Sequence, residues 1–271
     1  MVIKEALSLL ERREAELILC HILNMSMTEL ILNRDKKLSP DEEKHYFECV
    51  KRRKDGEPVQ YIIGSSEFMS LEFLVNENVL IPRSDTETLV ENVIEILKDK
   101  NASVLDIGTG SGCIGISLLK YCPDITLECV DISEKALEVA KENAIRNGVS
   151  DRIKFTLMDI LNEVPDKKYD VVVSNPPYIR PEVIQGLERQ VKDFEPYLAL
   201  YGGDDGLLFY KRITAIAPCI LNEDGILAFE IGYDQGESVK KLLEKDFTEI
   251  KLIKDLCTND RVVLGKLKMG C

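Results

Sequence analysis

Short apolar runs alternate with helical segments from Ser84 onward, and this alternation restricts the possible folds more than any other feature. Seven runs have the length and composition of strands, at residues 103–107, 126–131, 154–158, 170–174, 225–231, 249–254 and 261–266. Helical patterns fill most of the intervals, which is typical of an α/β protein with a parallel sheet wound on both faces. Because no helical pattern separates the last two runs, we predict that they form an antiparallel hairpin.

The first 65 residues show a different pattern, because apolar residues recur there at helical spacing. Ser39 followed by Pro40 is typical of a helix N-terminus. We predict four or five short helices packed as a bundle over residues 1–65. Residues 66–82 combine alternating apolar residues with a polar stretch at 76–78, which predicts a β-hairpin connector that turns at this stretch. The third part of the chain is then the sheet domain, residues 83–271.

The net charge excludes some partners. The chain has 48 acidic and 35 basic side chains, a net charge of −13, which disfavours broad binding to the phosphate backbone of nucleic acids. The densest basic cluster, residues 51–54, suits either the negative end of a helix dipole or the docking of a partner.

The cysteines indicate that the protein works in a reducing compartment, and the histidines give no indication of a metal site. The eight cysteines lie mostly in apolar runs and form no Cys-x-x-Cys pair, so we expect buried free thiols. The two histidines, His21 and His45, do not lie at helical spacing from each other, which gives a metal site little support. No apolar run approaches 18 residues and the N-terminus lacks a signal-peptide pattern, so we expect a cytoplasmic protein without a membrane partner.

The glycine-rich segment 104–112 (VLDIGTGSG) leads from a predicted strand into a helix. Its glycines let the backbone turn sharply and approach a ligand closely. Asp131 ends the next strand, where a carboxylate can accept hydrogen bonds from both hydroxyls of a ribose. We therefore predict a nucleotide site formed by Asp106, Gly108, Thr109, Gly110, Ser111, Gly112 and Asp131.

The same loop also fits the dinucleotide fingerprint Gly-x-Gly-x-x-Gly, through Gly110, Gly112 and Gly115. Asp106 separates the two interpretations, because a carboxylate at the end of the first strand is expected to face the ligand and would repel a pyrophosphate. S-adenosylmethionine has no phosphate and carries positive ammonium and sulfonium groups. We therefore predict that the loop binds S-adenosylmethionine rather than NAD.

A second motif, Asn175-Pro176-Pro177-Tyr178, follows the strand at 170–174 and should face the glycine loop across the sheet edge. The prolines have no backbone N–H, so the Asn175 side-chain oxygen and the Pro176 carbonyl can form a pair of acceptors for a planar –NH₂ group. Holding both N–H bonds favours the pyramidal nitrogen that displacement at a methyl carbon requires. We predict that Asn175, Pro176 and Tyr178 are catalytic, that Tyr178 packs its ring on the planar group, and that all four residues contact the substrate.

The glycine loop paired with this tetrad resembles class I amino-methyltransferases. The whole chain resembles one family, the HemK/PrmC peptide chain release factor glutamine methyltransferases. Further stretches that look like this family are 57–64 (EPVQYIIG), 80–83 with Thr86 and Glu87, 194–196 and 202–206. The resemblance covers nearly all of the chain. It implies a Rossmann-like seven-stranded S-adenosylmethionine-dependent methyltransferase fold with a small N-terminal helical bundle and a β-hairpin connector.

The resemblance also implies an activity, which is N5-methylation of the glutamine in the Gly-Gly-Gln loop of bacterial release factors, with S-adenosylmethionine as cofactor and no metal. It implies that residues 108–112 and Asp131 hold the cofactor, with Asp159 and Asn175 beside it. The position after Asp159 would contact the adenine, and this chain has Ile160 there, an aliphatic contact rather than a stacked one. The domain of residues 1–65 would help to dock the release factor.

Several alternatives remain at this point. An N6-adenine DNA methyltransferase shares the tetrad but should show a basic face and a target-recognition insert. A glutamine methyltransferase for a ribosomal protein would differ only in its target. A regulatory module without turnover would not need the acceptor pair, and Asp106 disfavours a dehydrogenase. Arg83 and Glu87 suit either bracing of the connector or a position beside the cofactor.

Overall fold

The computed structural model describes residues 1–270, which form two compact units. The first unit combines residues 1–65 with Glu188–Phe194, and the second combines Ser66–Leu187 with the chain from Glu195 onward. The sequence places 188–194 in the sheet domain. In the structure, a Cβ added to Gly56 would lie 3.2 Å from Arg189 Cδ. This segment therefore joins the first unit through a tertiary contact that no local pattern announces.

Residues 1–65 form five helices, as predicted. They are α1 (Ile3–Ala6), α2 (Arg12–Leu23), α3 (Met27–Leu32), α4 (Pro40–Lys54) and α5 (Val59–Ile63). Helix α4 begins with a capping box, in which the Ser39 side chain accepts the Glu42 N–H and the Glu42 carboxylate accepts the Ser39 N–H. In the core, the Tyr46 hydroxyl donates to the Ala6 carbonyl at 2.8 Å and links α4 to α1.

The basic cluster at 51–54 lies in the last turn of α4, where cations are favoured by the helix dipole. Two of its members are also paired within the unit. Arg52 binds Glu57 through two hydrogen bonds of 2.7 and 2.5 Å, and Arg53 lies 2.8 Å from Glu14. These contacts explain the cluster structurally, and a docking role for it stays a prediction.

The β-hairpin exists, but the predicted position of its turn is wrong. Its strands are β1 (Ser65–Phe68) and β2 (Leu71–Leu74), joined by Met69 and Ser70 with φ of 50° and 57°. Two consecutive positive φ values are the geometry of a tight two-residue hairpin turn, which needs neither Asn nor Gly when the flanking strands pack well. The polar stretch at 76–78 forms a local turn instead, and residues 79–81 are not a strand.

One sheet contains the seven predicted strands, in the order β5-β4-β3-β6-β7-β9-β8. The strands are β3 (Ala102–Ile107), β4 (Ile125–Asp131), β5 (Ile153–Leu157), β6 (Tyr169–Ser174), β7 (Leu221–Glu230), β8 (Phe247–Lys254) and β9 (Asp260–Leu267). Strand β9 runs antiparallel to both β7 and β8, while the other pairs are parallel. The predicted sheet and final hairpin are confirmed.

Helices cover both faces of this sheet. They are α6 (Ser84–Leu97), α7 (Cys113–Tyr121), α8 (Glu134–Arg146), α11 (Leu208–Ile220) and α12 (Gly236–Leu243). Two further short helices are α9 (Pro181–Gly186), which follows β6 along the chain, and α10 (Arg189–Lys192), which belongs to the first unit. Val171 and Val173 pack with α6 and α7 on one face, and Val172 packs with α11 on the other. Strand β3 lies between β4 and β6, so the loops after these strands meet at one edge.

Among the cysteines of residues 1–270, four are buried (Cys49, Cys113, Cys122, Cys129), Cys20 is half-buried, and Cys219 and Cys257 are exposed; all seven are free thiols. Cys271 lies outside the described residues. Within residues 1–270, no helix combines the length and the apolar composition that crossing a membrane requires.

Candidate active site

A cavity of about 310 Å³ opens at the carboxyl edge of the sheet, where the loops after β3, β4, β5 and β6 meet. Its volume lies at the lower end of the range for small-molecule sites. Ten predicted site residues line it: Gly108, Thr109, Gly110, Ser111, Asp131, Asp159, Ile160, Asn175, Pro176 and Pro177. The remaining three, Asp106, Gly112 and Tyr178, are not part of its wall. The fold thus brings the two sequence motifs to one cavity.

The glycine loop presents bare backbone to this cavity. Gly108 and Gly110 have φ of 72° and 54°, and a Cβ added to either would meet no heavy atom within 4 Å. The N–H groups of Gly108 and Thr109 both donate to the Val130 carbonyl, at 2.9 and 3.1 Å. The Gly110 N–H donates to Asp131 at 2.9 Å. Since these amides are already used, the loop is poorly equipped to bind a pyrophosphate.

Asp131 is held by the two segments on either side of it. Its Oδ2 accepts the Gly110 N–H and its Oδ1 accepts the Ser133 N–H, both at 2.9 Å. Each carboxylate oxygen keeps a lone pair for a further donor. Burial raises the pKa of Asp131, and the amide hydrogen bonds oppose this shift. A fixed carboxylate with two free acceptor positions suits the neighbouring hydroxyls of a ribose.

Asp106 does not face the ligand site as the sequence analysis expected. Its carboxylate is fully buried beneath the loop, where Oδ2 accepts the Thr109 hydroxyl at 2.6 Å. A Cβ on Gly115 would lie 2.6 Å from Leu127 Cδ2 and 3.2 Å from the same Asp106 oxygen, so this crowded position favours glycine. Burial raises the pKa of Asp106 to about 6. The structure therefore gives Asp106 a role in holding the loop, and direct contact with a cofactor stays a prediction.

The tetrad Asn175-Pro176-Pro177-Tyr178 leaves β6 beside the end of β3, and the Ser174 hydroxyl fixes this position by donating to the Ile107 carbonyl at 2.6 Å. The Asn175 Nδ2 donates to Thr86 Oγ1 at 3.3 Å. Within residues 1–270, Asn175 Oδ1 and the Pro176 carbonyl oxygen accept no hydrogen bond. Two acceptors without partners thus stand in the wall of the cavity.

Tyr178 lies behind the cavity wall rather than along it, which differs from the expected stacking on the substrate. Its hydroxyl donates to Glu230 Oε1 at 3.4 Å, and its carbonyl accepts from Gln235 Nε2 at 3.1 Å. A Cβ on Gly202 would lie 2.4 Å from Tyr178 Cα, so the segment 202–206 packs directly against the tetrad. These contacts immobilise the turn that carries the acceptors.

The structure separates the roles of Arg83 and Glu87. Arg83 borders the cavity and binds the buried carboxylate of Glu195 at 2.5 Å. Glu87 accepts the Met69 N–H at 2.6 Å and so braces the hairpin connector. Glu87 therefore braces the connector, and a position of Arg83 beside a cofactor stays a prediction.

The wall formed by Asp159 and Ile160 is also fixed by hydrogen bonds. Asp159 accepts the Leu161 N–H at 3.0 Å and the Asn162 side chain at 2.6 Å. The Ile160 carbonyl accepts from Arg212 Nε at 2.8 Å. The Ile160 side chain is buried and gives the cavity an aliphatic surface.

Sequence reasoning missed several residues that hold the site, and Asn143 of α8 is the clearest. Its side chain donates to the Ser111 carbonyl at 2.9 Å and exchanges hydrogen bonds of 2.6 and 3.0 Å with the Leu74 backbone. It thereby ties the glycine loop to β2. A signal was present, because Asn143 stands among Ala140 and Ala144 on the apolar stripe of an amphipathic helix.

Glu230, Thr86 and Gln235 were missed as well. Glu230 ends β7 and is 2% exposed, and burial raises its pKa to about 7 against the effects of the Thr86 side chain and of Arg261. A carboxylate at the end of a buried strand is the signal that could have identified it.

The raised pKa of Glu230 predicts a pH dependence of stability. The folded protein holds the proton more tightly than the unfolded chain, so the free energy of unfolding falls as pH rises from about 4.5 to about 7. Glu230→Gln cannot ionise and escapes this loss. Urea unfolding measures the effect: between pH 4.5 and pH 8, the free energy of unfolding of the variant should rise relative to that of the wild type by on the order of 3 kcal/mol.

Glu237→Gln is the matched control, because the Glu237 side chain is 82% exposed. Its unfolding free energy should follow the wild type at every pH. Parallel pH profiles for the wild type and Glu230→Gln would show that the burial of Glu230 has no such effect.

Two family models match the chain. The PrmC N-terminal domain matches residues 3–64, and the methyltransferase small domain matches residues 84–191. Among solved structures, a methyltransferase from Pyrococcus furiosus superposes with a TM-score of 0.56 at 16% identity, over 84% of this chain and 98% of that one. This likeness supports the fold alone, a class I methyltransferase sheet.

Curated relatives extend over nearly the whole chain. The release factor glutamine methyltransferase of Clostridium acetobutylicum is 42% identical over 268 residues, which cover 97% of this chain and 94% of the relative. That of Bacillus cereus is 40% identical over 266 residues, covering 95% and 93%. Identity at this level over both domains confirms the resemblance inferred from the motifs. The chain therefore belongs to the release factor glutamine methyltransferase family of S-adenosylmethionine-dependent enzymes.

Proposed function

We propose that this protein transfers a methyl group from S-adenosylmethionine to the N5 amide nitrogen of the glutamine in the Gly-Gly-Gln loop of bacterial release factors. The observation that carries the proposal is the pair of unpartnered acceptors, Asn175 Oδ1 and the Pro176 carbonyl, in the wall of a nucleotide-sized cavity. Membership of the family supports the choice of substrate.

The residues of the cavity fit the cofactor. Asp131 has acceptor positions for the ribose hydroxyls, and Ile160 offers an aliphatic surface to an adenine ring. The N–H groups of Gly108, Thr109 and Gly110 are used internally, which leaves the loop few donors for a phosphate and suits an ammonium better. When bound, S-adenosylmethionine supplies an electrophilic methyl group.

The contribution of the protein is to orient a poor nucleophile. The lone pair of an amide nitrogen is delocalised into its carbonyl. If Asn175 Oδ1 and the Pro176 carbonyl each accept one N–H, the nitrogen is held with its lone pair directed into the cavity and pyramidal geometry is favoured. A methylated, positively charged amide nitrogen is acidic enough to release its proton to water, so the site needs no strong base.

The two compact units suggest a division of labour. We assign docking of the release factor to the helical domain, residues 1–65, and methyl transfer to residues 83–271, with 66–82 as connector. Release factors act in the cytoplasm, so we place the enzyme there. The net charge of −13 argues against a stable complex with nucleic acid, and we expect no membrane partner.

The direct test supplies the wild-type protein with methyl-labelled S-adenosylmethionine and one of three substrates: a bacterial release factor, its loop Gln→Ala variant, or adenine-containing duplex DNA. Label should enter the intact release factor alone, because only its loop offers a glutamine amide to the acceptor pair. Label in the Gln→Ala variant or in DNA would contradict the proposed substrate.

Asn175→Ala should lower kcat by roughly 10²-fold or more, the scale seen when one preorganised polar contact is removed. Steady-state kinetics with the release factor would measure this loss, and calorimetry should show S-adenosylmethionine affinity changed little. Asn92→Ala is the control and should keep most activity, because the Asn92 side chain donates to the Thr88 carbonyl within α6 and is not part of the cavity wall. Normal turnover by Asn175→Ala would refute the acceptor-pair mechanism.

Asp131→Ala should weaken S-adenosylmethionine binding by about 1–3 kcal/mol, because the ribose hydroxyls lose their acceptor and the Gly110 N–H loses its partner. Asp131→Asn keeps one acceptor oxygen, so its affinity for S-adenosylmethionine should lie between those of the wild type and Asp131→Ala. Titration calorimetry measures both, with NAD as a ligand that should not bind. Unchanged affinity in Asp131→Ala, or tight binding of NAD, would contradict the cofactor assignment.

A further inference from the structure

The orientation of one side-chain amide decides whether the acceptor pair exists. Asn175 can present either Oδ1 or Nδ2 to the cavity, because rotation about its last torsion exchanges the two. With Oδ1 inward, the target –NH₂ finds an acceptor. With Nδ2 inward, two N–H donors would face the N–H bonds of the target, and the pair would be lost. Something in the protein must therefore select one orientation.

Thr86 stands where that selection is made. It lies in the first turn of α6, is 2% exposed and lines the same cavity as Asn175. The Asn175 Nδ2 donates to its Oγ1 at 3.3 Å, which turns Oδ1 away from Thr86. The Thr86 hydroxyl is the acceptor in this contact, so its lone pair holds the Asn175 N–H and Oδ1 stays available for another donor.

We propose that Thr86 is a positioning residue that holds the Asn175 amide with Oδ1 toward the target nitrogen. The inference rests on the proposed function, because it concerns the acceptor pair of that reaction. A buried hydroxyl that accepts the Asn175 N–H leaves the amide oxygen for the substrate.

Thr86→Val tests the proposed hydrogen bond to Asn175, because the valine side chain has the shape of threonine but can neither donate nor accept a hydrogen bond. We expect kcat for the release factor to fall roughly 10- to 100-fold, the range for a reacting group that is held imprecisely. The KM for the release factor and the affinity for S-adenosylmethionine should stay within about 2-fold. Thr86→Ser restores the hydroxyl and should recover most of the rate.

Thr214→Val is the matched control. Thr214 is also buried, but its hydroxyl has no partner within residues 1–270. Its removal should leave kcat unchanged. Wild-type kcat in Thr86→Val would overturn the proposal, and so would an equal loss in Thr86→Ser. A loss of cofactor affinity that matches the loss of kcat would assign Thr86 to cofactor binding instead.

A second measurement needs no turnover. In protein with ¹⁵N-labelled asparagine, one of the two Asn175 Nδ2 protons should be shifted downfield because it is hydrogen-bonded to Thr86, and Asn175→Ala assigns the signal. Thr86→Val should shift the bonded proton and Thr86→Ser should retain it; an unshifted proton in Thr86→Val overturns the proposal. If the wild type fails to label the release factor while these shifts appear, the proposed function fails and the amide lock stands.

Discussion

Hydrogen bonds between the glycine loop and the end of β4 are the constraint on which the rest of the site depends. The Val130 carbonyl accepts two loop amides, and Asp131 accepts a third. These bonds consume the donors that a phosphate would need, and they place the bare backbone of Gly108 and Gly110 against open space. The Asn143 side chain adds a further contact by donating a hydrogen bond to the Ser111 carbonyl. The backbone groups that the loop leaves without a partner thus limit which ligands it can bind.

Buried carboxylates stand behind the site and hold its parts in place. Asp106 accepts the Thr109 hydroxyl beneath the glycine loop, and Glu230 accepts the Tyr178 hydroxyl behind the tetrad. Burial raises the pKa of both groups, which is the consequence of placing a charge where water cannot reach it. Their oxygens accept hydrogen bonds from these hydroxyls, and these contacts hold the glycine loop and the tetrad in place.

Much of the fold and of the cavity wall could be predicted from the sequence. The runs that form β3 to β9 are apolar and short, so periodicity located all seven. Glycine at 108 and 110, Asp131 and Asn175 follow strands, and the rule that parallel strands end at one edge brought them together. The hairpin turn was misplaced because Met69 and Ser70 adopt positive φ without the residues that signal it. The hydrogen bond of Asp106 to Thr109 beneath the loop could not be predicted, because an end-of-strand position does not reveal which way a side chain points.

The sequence by itself determined the order of the strands along the chain, the nucleotide loop, the acceptor tetrad and the family, because these depend on residue types at short, fixed spacings. Only the tertiary structure decided that residues 188–194 join the helical unit, that Tyr178 stands behind the cavity, and that Thr86, Asn143 and Glu230 hold the site. Asn175 and Thr86 are 89 residues apart, and their hydrogen bond exists because α6 and β6 meet at one sheet edge. Contacts at such separations depend on how elements pack, and packing is not a local property of the sequence.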